Sequence, residues 1–362
     1  MWKIILIIVL SAILILSGCS LTNKSREKHR ITGTKPLNVP STAVVASPWK
    51  KNTFQKGIQI YLHVDGMADS LIRQRINQNL DYIVKLGANA VGISFPIYTD
   101  GVTPTHVYAS QATPSQGQLT YALMEAKKRQ LRVMLRPIID ETNIVKEQPI
   151  AWRGSIEPKN TEQWFQSYDE LIEKYAKIAK RFKVDELVVG SELTSLQPQI
   201  MEWNTLKAKI WATGFRGTLS YATNWDNFPS MPFEPGIDAY PRVHLNDQAT
   251  ISQLTQALYD WLIQQPFAVR RKLTIQETGI AAQSGMYHKP FVWDSKAPVN
   301  ASVQANWFQA IYKAAKEAHL CGIYYWTLDI RQDPEQELET GTGNFSFVRK
   351  STEAVIRSNF NH

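Results

Sequence analysis

Glu186-Leu-Val-Val-Gly-Ser-Glu192-Leu193 and Leu273-Thr-Ile-Gln-Glu277-Thr-Gly279 are two short apolar runs that each end on a glutamate. Runs of this length, bounded by turn residues, read as strands buried on both faces. Outward from them, strand and helix patterns alternate along the chain. Strands are expected over 57–64, 90–98, 132–140, 186–192, 218–224, 237–240, 273–277 and 322–329. Amphipathic helices are expected over 69–86, 118–129, 161–182, 199–213, 251–264, 303–319 and 351–359. The longest carries Trp164, Tyr168, Leu171, Ile172, Tyr175, Ile178 and Phe182 on one stripe. No long helix follows strand 218–224, because 227–236 is a Pro-rich loop. Successive parallel strands joined by helices, closing at eight, predict an α/β fold, the (β/α)8 TIM barrel. An open doubly wound sheet is the alternative, but no Gly-x-Gly-x-x-Gly turn follows an early strand.

The chain has 362 residues, enough for one barrel with a leader. Met1-Trp2-Lys3 is a short basic start, and Ile4 to Leu16 is an apolar run too short to span a bilayer comfortably. Leu16-Ser-Gly-Cys19 closes that run and resembles the bacterial lipobox. The expected organisation is a lipoprotein signal over 1–19 with Cys19 lipidated, a polar tether over 20–50 and a barrel over 51–362. The expected location is the cell envelope, anchored by lipid at Cys19, with Ser20 favouring the outer membrane.

The formal net charge is +8, part of it at Lys24, Arg26, Lys28, Arg30 and Lys35 just after the expected anchor. A basic tether suits anionic head groups. No basic run is interleaved with a nucleic-acid-binding motif, so nucleic acid is not an expected partner. Cys321 is the only other cysteine, and it is expected as a buried thiol without a disulfide. The seven His form no His-x-His or His-Glu-x-x-His pattern, so neither a metal nor another cofactor is expected. Oligomeric state is not legible.

Barrels of this class carry their chemistry at the C-terminal ends of the strands. The residues expected there include His63, Arg136, Asp140, Glu192, Asn224, Tyr240, Glu277 and Trp326. Side-chain alternation groups Val188, Gly190 and Glu192 on one face, and Leu273, Ile275 and Glu277 on another. With those faces turned inward, two carboxylates hang over the mouth. Paired carboxyl groups about 5–5.5 Å apart are the apparatus of retaining glycoside hydrolysis: one attacks the anomeric carbon, and the other protonates the departing oxygen and then activates water. The two roles need different surroundings. Arg136 and the Tyr240 hydroxyl are candidates to hold Glu277 ionised, and an apolar setting would raise the pKa of Glu192. Trp326 reads as a sugar-stacking floor. His63, Asp140 and Asn224 read as candidate contacts to substrate hydroxyls.

Val189-Gly-Ser-Glu192-Leu193, Gln276-Glu-Thr-Gly279 and Tyr325-Trp326 resemble the strand-four, strand-seven and strand-eight motifs of clan A glycoside hydrolases. Trp152-Arg-Gly-Ser-Ile156, followed by Trp164-Phe-Gln-Ser-Tyr168, resembles more narrowly glycoside hydrolase family 113, and the resemblance covers about residues 57–358. It implies Glu192 as acid/base, Glu277 as nucleophile, Trp152 among the substrate contacts, and cleavage of β-1,4-linked mannose units with retention. Two positions depart from the pattern. Ser191 stands where much of the clan has Asn, leaving the sugar 2-hydroxyl to another residue such as Asn224; Arg136 stands where relatives often have Lys. The alternatives are a lipid-anchored, non-catalytic polysaccharide-binding protein on a glycosidase scaffold, and a metal-dependent hydrolase. Activity on a polysaccharide or oligosaccharide separates the first from an enzyme; survival of strong chelation disposes of the second.

Overall fold

The computed structural model describes residues 42–293, 295–336 and 343–362. Cys19 and the expected signal lie outside them. Eight parallel strands form the barrel: β1 Gln55–Tyr61, β2 Ala90–Thr99, β3 Arg132–Ile139, β4 Glu186–Ser191, β5 Thr218–Asn224, β6 Glu234–Asp238, β7 Thr274–Thr278 and β8 Gly322–Asp329. β1 pairs with β2 (Gly57 opposite Ala90) and with β8 (Gln55 opposite Gly322), so the sheet closes. The crossover helices are α1 Asp69–Lys85, α2 Gln116–Lys128, α3 Thr161–Arg181, α4 Ile200–Ala212, α5 Ile251–Leu262 and α6 Ala301–Glu317; α7 Ser351–Asn361 follows β8. β5 and β6 are joined without a helix. β6 begins earlier than its apolar residues suggest, because Glu234 and Pro235 already pair with β5. A two-residue strand, Val107–Tyr108, folds back antiparallel on the end of β2.

Local chemistry starts several of these helices. Ser115 and Gln118 form a reciprocal capping box on α2, as Thr250 and Gln253 do on α5. The Asn160 side chain accepts from the Gln163 amide at the start of α3. The α3 stripe of Trp164, Phe165, Tyr168, Ile172 and Tyr175 is buried against the outer face of the sheet.

The barrel lumen is largely polar. Arg132 donates to Glu186 at 2.8 Å near the N-terminal ends of the strands. Glu186 also accepts from Ser220 and Gln276, both at 2.6 Å. Gln59 donates to the Gln276 carbonyl at 2.7 Å and accepts from Ser94 at 2.8 Å. A buried network of this kind is stable only when its members are nearly all paired. It needs room: a Cβ at Gly92 would stand 1.9 Å from Gln59 Oε1, and one at Gly57 would stand 2.2 Å from the Tyr324 ring. Glycine is what lets these large lumen side chains lie flat against β1 and β2.

Side-chain alternation does not survive to the ends of β4 and β7. Leu273 and Ile275 belong to the outer core with the helices, while Gln276 points into the lumen. The register then slips: Ile237 faces Ile275, but Asp238 faces Glu277. A bulge at Gln276 therefore turns Glu277 inward as well, whereas strict alternation would have sent it to the helices. β4 slips between Val188 and Ser191. Val188 is in the lumen, Val189 and Gly190 face the outer layer, and Ser191 faces the lumen. The expected common face of Val188, Gly190 and Glu192 is thus broken. Glu192 reaches the mouth through a left-handed backbone, with φ +56°, a conformation that costs a non-glycine residue about 1 kcal/mol or more.

Candidate active site

At the C-terminal ends of the strands lies a cavity of about 620 Å³. Glu192, Glu277, Tyr61, Trp152, Arg153, Asn224, Tyr240 and Trp326 line it, with Trp225, Phe291 and Trp293 among the residues of its outer wall. The two glutamates are thus brought to one space from β4 and β7. Both side chains are nearly buried.

Glu277 accepts a hydrogen bond on each oxygen. Tyr240 Oη donates to Oε1 at 2.6 Å, and Arg136 Nη1 donates to Oε2 at 2.6 Å. Burial, then the charge of Glu277, pushes the Tyr240 hydroxyl well above its ordinary range, so it remains a donor. Arg136 is fully buried on β3 and spends its other nitrogens on Asp238 (Nη2, 2.5 Å) and Ser191 (Nε, 3.1 Å). One planar guanidinium thereby spans β4, β6 and β7, which a lysine ammonium could not do. Arg136→Met leaves Asp238 and Glu277 buried without their shared cation. We expect a loss of about 3–5 kcal/mol of stability, the cost of orphaning a buried charge. Thermal unfolding checks it, and an unchanged midpoint would show that the bridge does not hold these strands.

Glu192 sits in a different environment. Burial pushes its carboxyl up to about 7; the Arg153 guanidinium pulls the other way, and the charge of Glu277 adds to the rise. Arg153 Nη1 donates to Glu192 Oε2 at 2.7 Å. Arg153 is itself fixed: Nε donates to the Ile139 carbonyl at 3.0 Å, and Nη2 lies 3.3 Å from Glu141 Oε1. The arrangement sets a hydrogen-bonded carboxylate across one cavity from a carboxyl whose proton is exchangeable near neutral pH, as proton transfer coupled to nucleophilic attack requires.

Trp152, Asn224, Tyr240 and Trp326, all singled out in the sequence, line the cavity. Trp326 lies 5.5 Å from Tyr61, centroid to centroid, and its ring centroid is 6.0 Å from the Arg136 guanidinium. Asn224 donates to Asp226 at 2.6 Å. His63 and Asp140 stand outside the lining. Asp140 accepts from Tyr61 Oη at 3.0 Å, and the His63 ring is 6.1 Å from that of Tyr61, which itself lines the cavity. Arg153, Tyr61, Trp225 and Phe291 in the lining, and Asp238 behind it, are residues that sequence reasoning missed. Arg153 adjoins Trp152 in the quoted motif, but only folding of the 140–156 connection back over β3 reveals its partner. Cys321 is half-buried rather than sealed, and its thiol donates to the Arg271 carbonyl at 2.9 Å.

The family model for Glycoside Hydrolase Family 113 matches residues 64–350. Among solved structures, a GH113 β-1,4-mannanase matches with TM-score 0.70 at 21% identity, over 85% of this chain and 99% of its own. The GH113 β-mannanase of Alicyclobacillus acidocaldarius in complex with ManMIm matches with TM-score 0.69 at 20% identity, over 85% and 97%. A Faecalibacterium prausnitzii β-glucuronidase shares the fold at TM-score 0.55 and 13% identity, over 85% of this chain and 49% of its own. No curated protein matches significantly. The structural likenesses carry the barrel architecture, and the family match runs from just after β1 to just before α7, with β2 to β8 and both glutamates included; this chain, a glycoside hydrolase, belongs to family 113 of clan A.

Proposed function

We propose that this enzyme cleaves β-1,4-linked mannosyl chains by double displacement, with Glu277 as nucleophile and Glu192 as acid/base. The observation that carries the proposal is the contrast between the two carboxyl groups. Glu277 accepts from Tyr240 on one oxygen and from Arg136 on the other, whereas burial pushes the Glu192 carboxyl up to about 7 against its single Arg153 contact. In the first step a Glu277 oxygen bonds to the anomeric carbon, the glycosidic C–O bond breaks, and the Glu192 proton passes to the departing oxygen. In the second, Glu192 takes a proton from water, the water oxygen bonds to the anomeric carbon, and Glu277 is released. The configuration at that carbon is retained.

Family membership and the β-mannanase activities of fold relatives support the mannosyl assignment. The aromatic lining, Trp152, Trp225, Phe291 and Trp326, suits apolar sugar faces. Product analysis on defined β-linked oligosaccharides tests it. Manno-oligosaccharides should be shortened, with cello-oligosaccharides cut slowly or not at all. Cleavage of another β-linked series with the mannosyl series untouched would overturn the substrate while leaving the chemistry.

Glu192 must carry its proton for the first step, so kcat/KM falls as pH rises through about 7. Arg153 favours the charged form of Glu192. Arg153→Met should therefore shift this alkaline limb upward, by about one unit or more. A pH profile whose limb stays in place, or moves down, would contradict the role of the Arg153 contact.

The proposal also locates the enzyme in the cell envelope, acylated at Cys19 after the apolar run Ile4 to Leu16. Intact mass of the membrane-associated form tests it: a mass lacking both cleavage before Cys19 and lipid would remove the anchor.

A further inference from the structure

The end of the barrel opposite the mouth is built from the turns that lead into the strands, and those turns are basic. Lys128, Arg181, Lys183, Arg216, Arg271 and Lys272 stand in them, all exposed. The acids in turns 128–131, 181–185, 212–217, 262–273 and 317–321 are Asp185 and Glu317, and Asp185 is taken by Lys127 at 2.5 Å; Glu234, exposed at the start of β6, is a further acid on this face and lines one cavity with Lys272, so the cations outnumber the acids without standing alone. Part of this charge has a local cause. Cations in a last helical turn are favoured by the helix dipole, and Arg216 donates to the carbonyls of Trp211 and Phe215 at 3.0 and 2.8 Å. That cause does not reach Lys183 or Lys272, which lie beyond the helix ends.

Nor does it explain the large apolar side chains left in water beside them. Phe267 is 52% exposed and Trp211 50%. The Arg270 and Arg271 guanidinium groups lie 5.7 and 5.8 Å from the Phe267 ring centroid. Lys207 lies 4.9 Å from the Trp211 ring and 5.9 Å from Phe233. Where β5 and β6 are joined without a helix, Phe233 continues into a cavity of about 480 Å³ that reaches Val269 and Lys272. Aromatic rings ringed by long cationic side chains are the chemistry of a membrane interface: the rings sit at head-group level and the charges reach lipid phosphates.

The chain enters the barrel at this same end. The Val45 amide donates to the Arg129 carbonyl at 3.1 Å, and the Trp49 ring lies 4.9 Å from the Arg132 guanidinium at the foot of β3. Residues 20–41 lie between this point and the expected acylation site, and could span at most roughly 75 Å if fully extended. An anchor joined to the chain at this end brings this face, rather than the mouth, to the bilayer side.

We propose that this basic, aromatic-studded face docks on an anionic lipid bilayer, with Trp211 and Phe267 at head-group depth and the catalytic mouth turned away from the membrane. To test it, the full chain is reconstituted in nanodiscs of phosphatidylcholine alone or mixed with phosphatidylglycerol, and amide hydrogen exchange is followed by mass spectrometry. In anionic discs, exchange over 262–273 and 212–217 should slow several-fold at low salt and recover at high salt, where charges are screened. The double variant Arg271→Glu/Lys272→Glu changes the charge of this face by four units and should lower the docking equilibrium constant by about five-fold for each unit. Its thermal midpoint and its cleavage of a soluble oligosaccharide should match the parent, which separates failure of docking from failure of the enzyme. Equal exchange in both discs, protection of the mouth instead, or full protection in the double variant would overturn the proposal. Protection that appears only when a cell-wall polymer is added would overturn the lipid assignment.

Discussion

Glu277→Gln leaves a folded protein whose turnover falls by roughly 10⁴-fold or more, the scale of losing a covalent nucleophile. The substitution keeps shape and still offers Tyr240 an acceptor, but it removes the charge that would bond to the anomeric carbon. Arg136 keeps its 2.5 Å pair with Asp238, so the strands remain bridged and the thermal midpoint should change far less than in Arg136→Met. The loss should be the same for natural and activated leaving groups, because the glycosyl–enzyme bond cannot form with either. Initial rates on a manno-oligosaccharide and on an aryl β-mannoside check this. Activity within about ten-fold of the parent would remove Glu277 from the reaction.

Glu192→Ala should separate the two steps. Loss of the general acid lowers kcat on an unactivated manno-oligosaccharide by about 10²–10⁴-fold. A dinitrophenyl leaving group needs no proton, so the first step proceeds with such a substrate and the glycosyl–enzyme accumulates. Azide, which needs no general base, should then restore turnover and give the glycosyl azide with the configuration of the substrate. The variant leaves Arg153 paired with Glu141, so the residual cation is not orphaned. Equal losses on both substrates, with no azide rescue, would contradict the acid/base role.

The architecture was legible because its signals are local. The α3 stripe and the Pro-rich 227–236 connection each follow from the chain's own periodicity and turn chemistry, and the strands and helices stand within a few residues of expectation. The two glutamates were legible as strand-end carboxylates, and Arg136 and Tyr240 as candidate partners of Glu277. The route by which Glu277 and Glu192 enter the mouth was not. Alternation extrapolated along β7 puts Glu277 on the face of Ile275, and Ile275 faces the helices. The bulge at Gln276 and the positive φ of Glu192 are set by pairing with β5, β6 and β8, which no window of sequence contains. Arg153 was missed for a related reason. Its partners Ile139, Glu141 and Glu192 come from two strands and a connection, and only closure of the barrel brings them together.

These features rest on one chemical assignment, and trapping the intermediate tests it most directly. Incubation with 2-deoxy-2-fluoro-β-mannosyl fluoride, followed by proteolysis and mass mapping, should find the sugar bonded to the Glu277 side chain. The account is contradicted by the label on Glu192, Asp238 or any other residue, or by no label together with products of inverted configuration.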